Sequence, residues 1–279
     1  MSEDYVERKE IGDYRITINR DDCAECPTES FDLLGSFIWE FNDMCSMRLS
    51  TESDTEDLPN SPHDMEDALK GLVCKHVSQK KIIEYIQKEC KDLVFKYNKS
   101  DHIWELFSYD WRNDKCSEYS LLDLHPDEFH DFDFRDEICD NLGQEDFVVL
   151  LRDYQDEIAF MDFATSGYCQ GDYANGFAWC DIESFKDSCC TDTKKWRERA
   201  VEVMDDEVKL LGKWMWGDVY SFVLEKRERF TKHYVNDEKS DVDSFEWEAI
   251  DSCSGYYEEP DEIIQMVIEE NNLHPKNAA

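Results

Sequence analysis

Residues Asp146 to Cys180 read DFVVLLRDYQDEIAFMDFATSGYCQGDYANGFAWC. The apolar runs Phe147 to Leu151 and Glu157 to Phe163 have the length and composition of strands, and the polar stretch Asp153 to Asp156 between them has that of a turn. Ser166-Gly167 opens a loop, and Gly171-Asp172 and Asn175-Gly176 supply residues that tolerate positive φ. Phe177 to Asp181 then forms a third strand. The pattern predicts an antiparallel meander that serves as a scaffold.

Outward from this stretch, the chain mixes both periodicities. Tyr14 to Asn19 alternates and predicts a strand, whereas Phe31, Leu34, Phe37, Ile38 and Phe41 follow near-helical spacing and predict a short helix over 30–44. Ser50 to Asp67 is rich in Ser, Thr, Asp, Glu and Pro and reads as an exposed linker. Ser61-Pro62 is placed to start the next helix, with Asp64, Glu66 and Asp67 at its favourable end. Apolar positions from Leu69 to Val94, interrupted near Ser78, predict two helices. Ile103 to Trp111 is an aromatic strand or short helix. Trp196 to Trp216 predicts a long helix, Val219 to Glu225 a strand, Ser252 to Tyr257 a turn and Pro260 to Asn271 a C-terminal helix. Together these predict an α+β fold, an antiparallel sheet with packed helices plus a helical insertion lobe. The expected divisions are 1–49, an N-terminal strand and helix on the core; 50–140, linker and lobe; and 141–279, the α+β core.

The 279 residues carry 67 Asp and Glu against 30 Lys and Arg, a formal charge of −37. Such an excess destabilises the compact state by self-repulsion, since salt screens exposed charges only beyond about 8 Å. It repels nucleic acid and anionic membranes and attracts basic surfaces, so the expected partner is a basic protein, above all one that binds DNA. A salt-adapted surface is the plain alternative. The chain has no run of 18 apolar residues and a charged stretch from Met1 to Asp22, so neither a membrane span nor a signal peptide is expected. An intracellular setting leaves the twelve cysteines as thiols by default.

Two segments concentrate acid. Between Leu121 and Asp140 stand Asp123, Asp127, Glu128, Asp131, Asp133, Asp136 and Glu137; in an extended FHDFDF, Asp131 and Asp133 would share one face and Phe132 and Phe134 the other. The second tract, Asp237 to Asp251, contributes Asp241, Asp243, Glu246 and Glu248. Duplex DNA presents one negative charge per roughly 1.7 Å of axis, and carboxylates at regular spacing can imitate it. Both tracts are candidate partner-binding acid. Between Lys70 and Lys99, by contrast, eight lysines stand against Glu84, Glu89 and Asp92. This segment is either a solvated helix face or a surface for acid on the same chain or a second copy, with Lys75, Lys80, Lys81 and Lys88 as candidates for self-association. Lys226 to Tyr234 is a second basic patch.

Catalytic motifs are weak. Cys23-x-x-Cys26 resembles half of a zinc knuckle or a redox pair, without a second half at the required spacing; Cys180, Cys189 and Cys190 could complete it only through the fold. His125 and His130 with Asp127 and Glu128 could form a hard-metal site, but in so acidic a chain such clusters arise by chance. Cys169 lies in a glycine-flanked loop that matches no nucleophile motif. The chain contains no P-loop, G-x-G-x-x-G or H-E-x-x-H. No cofactor or metal is expected, and an enzyme using metal or thiol chemistry around these cysteines is the alternative reading.

YRITINRDDCAECPTESFDLLG (Tyr14 to Gly35), SGYCQGDYA (Ser166 to Ala174), GDVYSFVLE (Gly217 to Glu225) and DSCSGYY (Asp251 to Tyr257) occur in the order of blocks in a group of phage and plasmid proteins. With its length and acidity, the chain resembles the phage Gabija anti-defence proteins over about half its length; Ser50 to Asp140 has no counterpart. The resemblance implies a non-enzymatic inhibitor acting in the host bacterial cytoplasm. It would assemble as a homo-oligomer around a bacterial defence nuclease/NTPase complex and block DNA binding and cleavage, with no nucleic acid or membrane contact of its own. An acidic DNA mimic of the anti-restriction type is the alternative within the same class.

Overall fold

In a computed structural model the chain is α+β, with antiparallel sheets and packed helices. The structure describes residues 5–43, 46–52, 64–110, 112–125, 133–166, 173–189, 194–232 and 242–273. In chain order the elements begin with β1 (Glu7–Ile11), β2 (Tyr14–Arg20), α1 (Pro27–Ser30), β3 (Ser36–Asp43), β4 (Ser46–Glu52), α2 (Met65–His76) and α3 (Gln79–Lys88). Next come β5 (Leu93–Asn98), β6 (Ile103–Asp110), β7 (Lys115–Cys116), β8 (Leu122–Leu124), α4 (Arg135–Cys139), α5 (Gln144–Asp153), β9 (Ile158–Ser166) and β10 (Tyr173–Asp181). The last are α6 (Ile182–Cys189), α7 (Trp196–Met215), β11 (Tyr220–Lys232), β12 (Val242–Tyr256) and α8 (Pro260–Glu270).

Contacts divide the chain into two compact units, one made of residues 1–32 and 208–279 and the other of 33–207. These boundaries differ from divisions at 49/50 and 140/141, because β3 and β4 hydrogen-bond into the sheet of β10, and α2 packs on α5. The helices of the 50–140 segment therefore share one apolar core with α5, β3, β9 and β10. That segment also carries a small antiparallel sheet, with β6 between β5 and the short strands β7 and β8.

In the larger unit, β4-β3-β10-β9 form an antiparallel sheet. Phe37, Ile38 and Trp39 are buried in succession, so β3 is covered on both faces. This overturns the helix expected over 30–44: a strand buried on both sides loses its alternation, and its apolar spacing then coincides with a helical one. Phe147 to Leu151 is likewise part of helix α5, with Phe147, Leu150 and Leu151 buried at i, i+3 and i+4. Glu145 and Asp146 occupy its first turn and Arg152 its last, the charge order that a helix dipole favours. Leu93 and Val94 belong to β5 because α3 ends at Lys88. Ile103 to Asp110 takes the strand form.

Asn175-Gly176 lies inside β10, paired with Glu40 and Trp39 of β3 and with Ala164 and Phe163 of β9. A Cβ on Gly176 would stand 2.4 Å from the Ile38 carbonyl oxygen, so the glycine permits close strand approach and makes no turn there. Asp64 caps α2 by accepting from the Asp67 N–H at 2.9 Å. Ser61-Pro62, most of the expected linker, and the loop over 167–172 lie outside the described residues.

The smaller unit is the antiparallel sheet β1-β2-β11-β12 with α8 on one face. Ile16, Ile18, Phe222 and Leu224 point to Ile263, Ile264 and Val267. Ser252 to Tyr256 continues β12 and forms no separate turn. Gly255, at φ +82°, accommodates the register shift between Tyr220 and Phe222. Beyond Lys226 the β2 pairing ends, and β11 and β12 run on as a two-stranded ribbon. β12 is an edge strand.

Candidate interaction surfaces

The first acidic surface is built from β8 and α4. Alternation on β8 buries Leu124 and leaves Asp123 exposed, directly opposite Glu105 of β6. Like charges face each other there, an arrangement that costs stability. Asp133 accepts a bidentate bond from Arg135, at 2.9 Å from Nε and 2.6 Å from Nη2, and this contact holds its carboxyl below the usual aspartate range. Asp136 lies 2.7 Å and Asp140 2.5 Å from Nζ of Lys70 on α2. Glu137 is exposed on α4. Asp127, Glu128, Asp131 and His130 lie outside the described residues; His125 is exposed. Asp133 stands just before α4, and the rest of the extended row expected from FHDFDF, residues 129–132, lies outside the described residues.

The basic segment meets this acid within one chain. Lys70 takes the two carboxylates of α4, and Lys81 lies 2.8 Å from Asp156, which also approaches Arg197 at 3.5 Å. Their cations, Lys81 first, hold Asp156 below its ordinary range. Lys88 bonds Glu84 along α3. Lys75 and Lys80 are exposed on α2 and α3. Lys80 and Lys88 flank a cleft of about 560 Å³ between α3 and the β5–β6 hairpin, floored by Ile83, Phe95 and Trp104. Of the two expected roles for this segment, Lys70 and Lys81 thus take docking on acid of the same chain.

The second acidic surface is the ribbon. On β12, Glu246 and Glu248 are exposed on one face, opposite Glu228 and Lys226 of β11. Asp243 pairs with Thr231 in register, and Asp241 is outside the described residues. The other face carries aromatic residues stacked under arginines: Arg15 lies 4.6 Å above the ring of Trp247 and Arg227 4.0 Å above that of Phe245. Arg15 is further held by a bidentate bond to Glu225 at 2.6 and 2.7 Å. Phe245 and Ile250 keep about half their surface in solvent, at 51% and 50%. These two apolar residues were missed in the acidic tract, although the alternation of SFEWEA marks Phe245; Ile250 falls out of that alternation, at the register shift between Leu224 and Glu225.

Cys23 is exposed, and Cys26 is buried with its sulfur 3.1 Å from Oγ1 of Thr28. Cys180 is buried in the larger unit; Cys169 and Cys190 lie outside the described residues. Among the described residues no group of three or more His, Cys, Asp or Glu is arranged to hold a metal ion. Also among them, no helix is long and apolar enough to cross a membrane. No protein-family model, curated protein or solved structure matches the chain.

Proposed function

We propose that this chain is a non-enzymatic inhibitor that binds a basic, DNA-contacting surface of a Gabija-like bacterial defence nuclease/NTPase complex and blocks its access to DNA. The observation that carries this reading is the ribbon: exposed Glu246, Glu248 and Glu228 project on one face, with solvent-exposed Phe245 and Ile250 on the same strand. Acid at the rim steers a basic partner and apolar side chains supply the desolvated contact that steering alone lacks. The net charge of −37 supplies the long-range field. The resemblance to phage anti-defence proteins supplies the partner class and the host cytoplasm as the site of action. Self-association places the lysine-rimmed cleft of α3 against acid on a second copy.

Mass photometry of the chain alone and with an assembled Gabija-type complex, alongside a DNA-cleavage assay, tests this. The expected result is an oligomer that binds the complex and suppresses cleavage, with at least a tenfold loss of affinity in a Glu246→Lys/Glu248→Lys variant. Failure to bind at low ionic strength would overturn the proposal. Cleavage inhibition that survives unchanged above about 1 M salt would show that electrostatic imitation of DNA is not the means, leaving steric encasement.

A further inference from the structure

Cys74 on α2 and Cys139 on α4 are neighbours at the seam of the packed pair of helices, Cys139 in the main core and Cys74 packed against it. Cys139 is 1% exposed, enclosed beside Ile138 in the main core, whereas Cys74 is half-buried and open to solvent on one side. We propose that these two residues are a redox pair that closes to an intramolecular disulfide on exposure to a hydroperoxide, tying α2 to α4.

The contact is held in place on both sides. One turn before Cys74, Lys70 grips Asp136 and Asp140, the residues that bracket Cys139. One turn after it, the Phe134 N–H donates to Oε1 of Gln79 at 2.7 Å, and Arg135 Nη1 donates to the carbonyl of Val77 at 3.5 Å. Two sulfurs fixed by their scaffold react as if at very high local concentration, because the entropy of bringing them together is already spent in folding.

The chemistry divides between the two by environment. Lys70 and Arg135 place positive charge beside Cys74, which favours its thiolate. Burial pushes the Cys139 thiol up. Cys74, the sulfur that solvent and peroxide can reach, is therefore the attacking residue and Cys139, enclosed in the core, the resolving thiol. The Cys74 sulfur attacks one peroxide oxygen; the O–O bond breaks, a water leaves after protonation, and the sulfur is oxidised by two electrons to the sulfenic acid. The Cys139 sulfur then attacks that sulfur, the S–S bond forms, the S–O bond breaks, and hydroxide leaves as water with the Cys139 proton. Two thiols and one hydrogen peroxide give one disulfide and two waters.

This inference does not rest on the proposed inhibitor role, and its test uses no partner. The reduced full-length chain is treated with an equimolar amount of hydrogen peroxide, blocked with N-ethylmaleimide and digested with trypsin. The expected product joins the peptides Gly71–Lys75 and Asp136–Arg152, each of which carries a single cysteine, with a loss of two hydrogen masses that dithiothreitol reverses. In a Cys139→Ala variant, Cys74 accumulates as a sulfenic acid captured by dimedone. Recovery of wild-type Cys74 and Cys139 as separate, unlinked peptides after peroxide has oxidised the exposed Cys23 and Cys253 would overturn the proposal, and that outcome requires no variant to fold.

Discussion

The hydroxyl of Tyr85 donates to Oδ1 of Asp146 at 2.5 Å, while Oδ2 of the same carboxylate accepts from the Gly143 N–H at 3.0 Å. One side chain thus closes the first turn of α5 and fastens it to α3. Burial, then the Asp146 carboxylate, raises the Tyr85 hydroxyl above the ordinary tyrosine pKa, so it remains a donor throughout the neutral range. Tyr85→Phe removes a largely buried bond to a charged acceptor and is expected to cost about 1.5 kcal/mol in urea unfolding. Asp146→Ala, which also orphans the helix N–H, is expected to cost more, about 2 kcal/mol.

Gly176 sits where a Cβ would meet the Ile38 carbonyl oxygen at 2.4 Å, Phe163 Cζ at 2.5 Å and Trp39 Cβ at 2.8 Å. Two of these atoms belong to a backbone or to its first side-chain carbon and have little room to yield. Gly176→Ala is expected to destabilise by about 3 kcal/mol through overpacking, lowering the melting temperature while retaining secondary structure by far-UV circular dichroism.

Gln155, 5% exposed, binds four backbone groups of the turn from α5 to β9. Its Nε2 donates to the carbonyls of Leu151 and Ile158 at 2.7 and 2.8 Å, and its Oε1 accepts from the N–H groups of Glu157 and Ile158 at 2.8 Å each. Gln155→Leu fills similar volume but leaves these groups without their partner. Equilibrium unfolding should show a loss of about 3 kcal/mol, and Gln155→Glu should recover only the two bonds that its oxygens can accept.

Burial lowers the His76 imidazole below the usual histidine pKa, against the opposing pull of Glu157, whose Oε2 lies 3.4 Å from Nδ1. Its Nε2 is buried without a hydrogen-bond partner. The folded chain therefore takes up this proton less readily than the unfolded chain. The resulting stability is present above about pH 6.5 and is lost as pH falls from there through the lower folded value. Melting temperatures measured between pH 7.5 and 5 should fall more steeply for the wild type than for His76→Leu.

The elements legible in the sequence were those whose exposure differs strongly between faces. The helices α7 and α8, the break at Ser78 and the strand β2 all keep one polar side, so their periods survive in the residue pattern. The run FVVLL had too few residues to separate strand from helix, and the deciding features were the acid at 145 and 146 and the base at 152. Gly176 and Gly255 were read as turn signals, yet one serves strand proximity and the other a register shift. Of the candidate site residues, spacing identified which carried charge but not which would be engaged at home. Lys70 reaches Asp136 across 66 positions of sequence, a contact that follows from the α2–α4 packing and not from any local pattern.

The ribbon of β11 and β12 ends in a long strand edge that carries hydrogen-bonding groups and exposed Phe245 and Ile250. Such an edge recruits further strands unless charge keeps them away. Glu246 and Glu248 provide that charge here, so the acid along this edge keeps copies of the chain from stacking strand on strand into fibres.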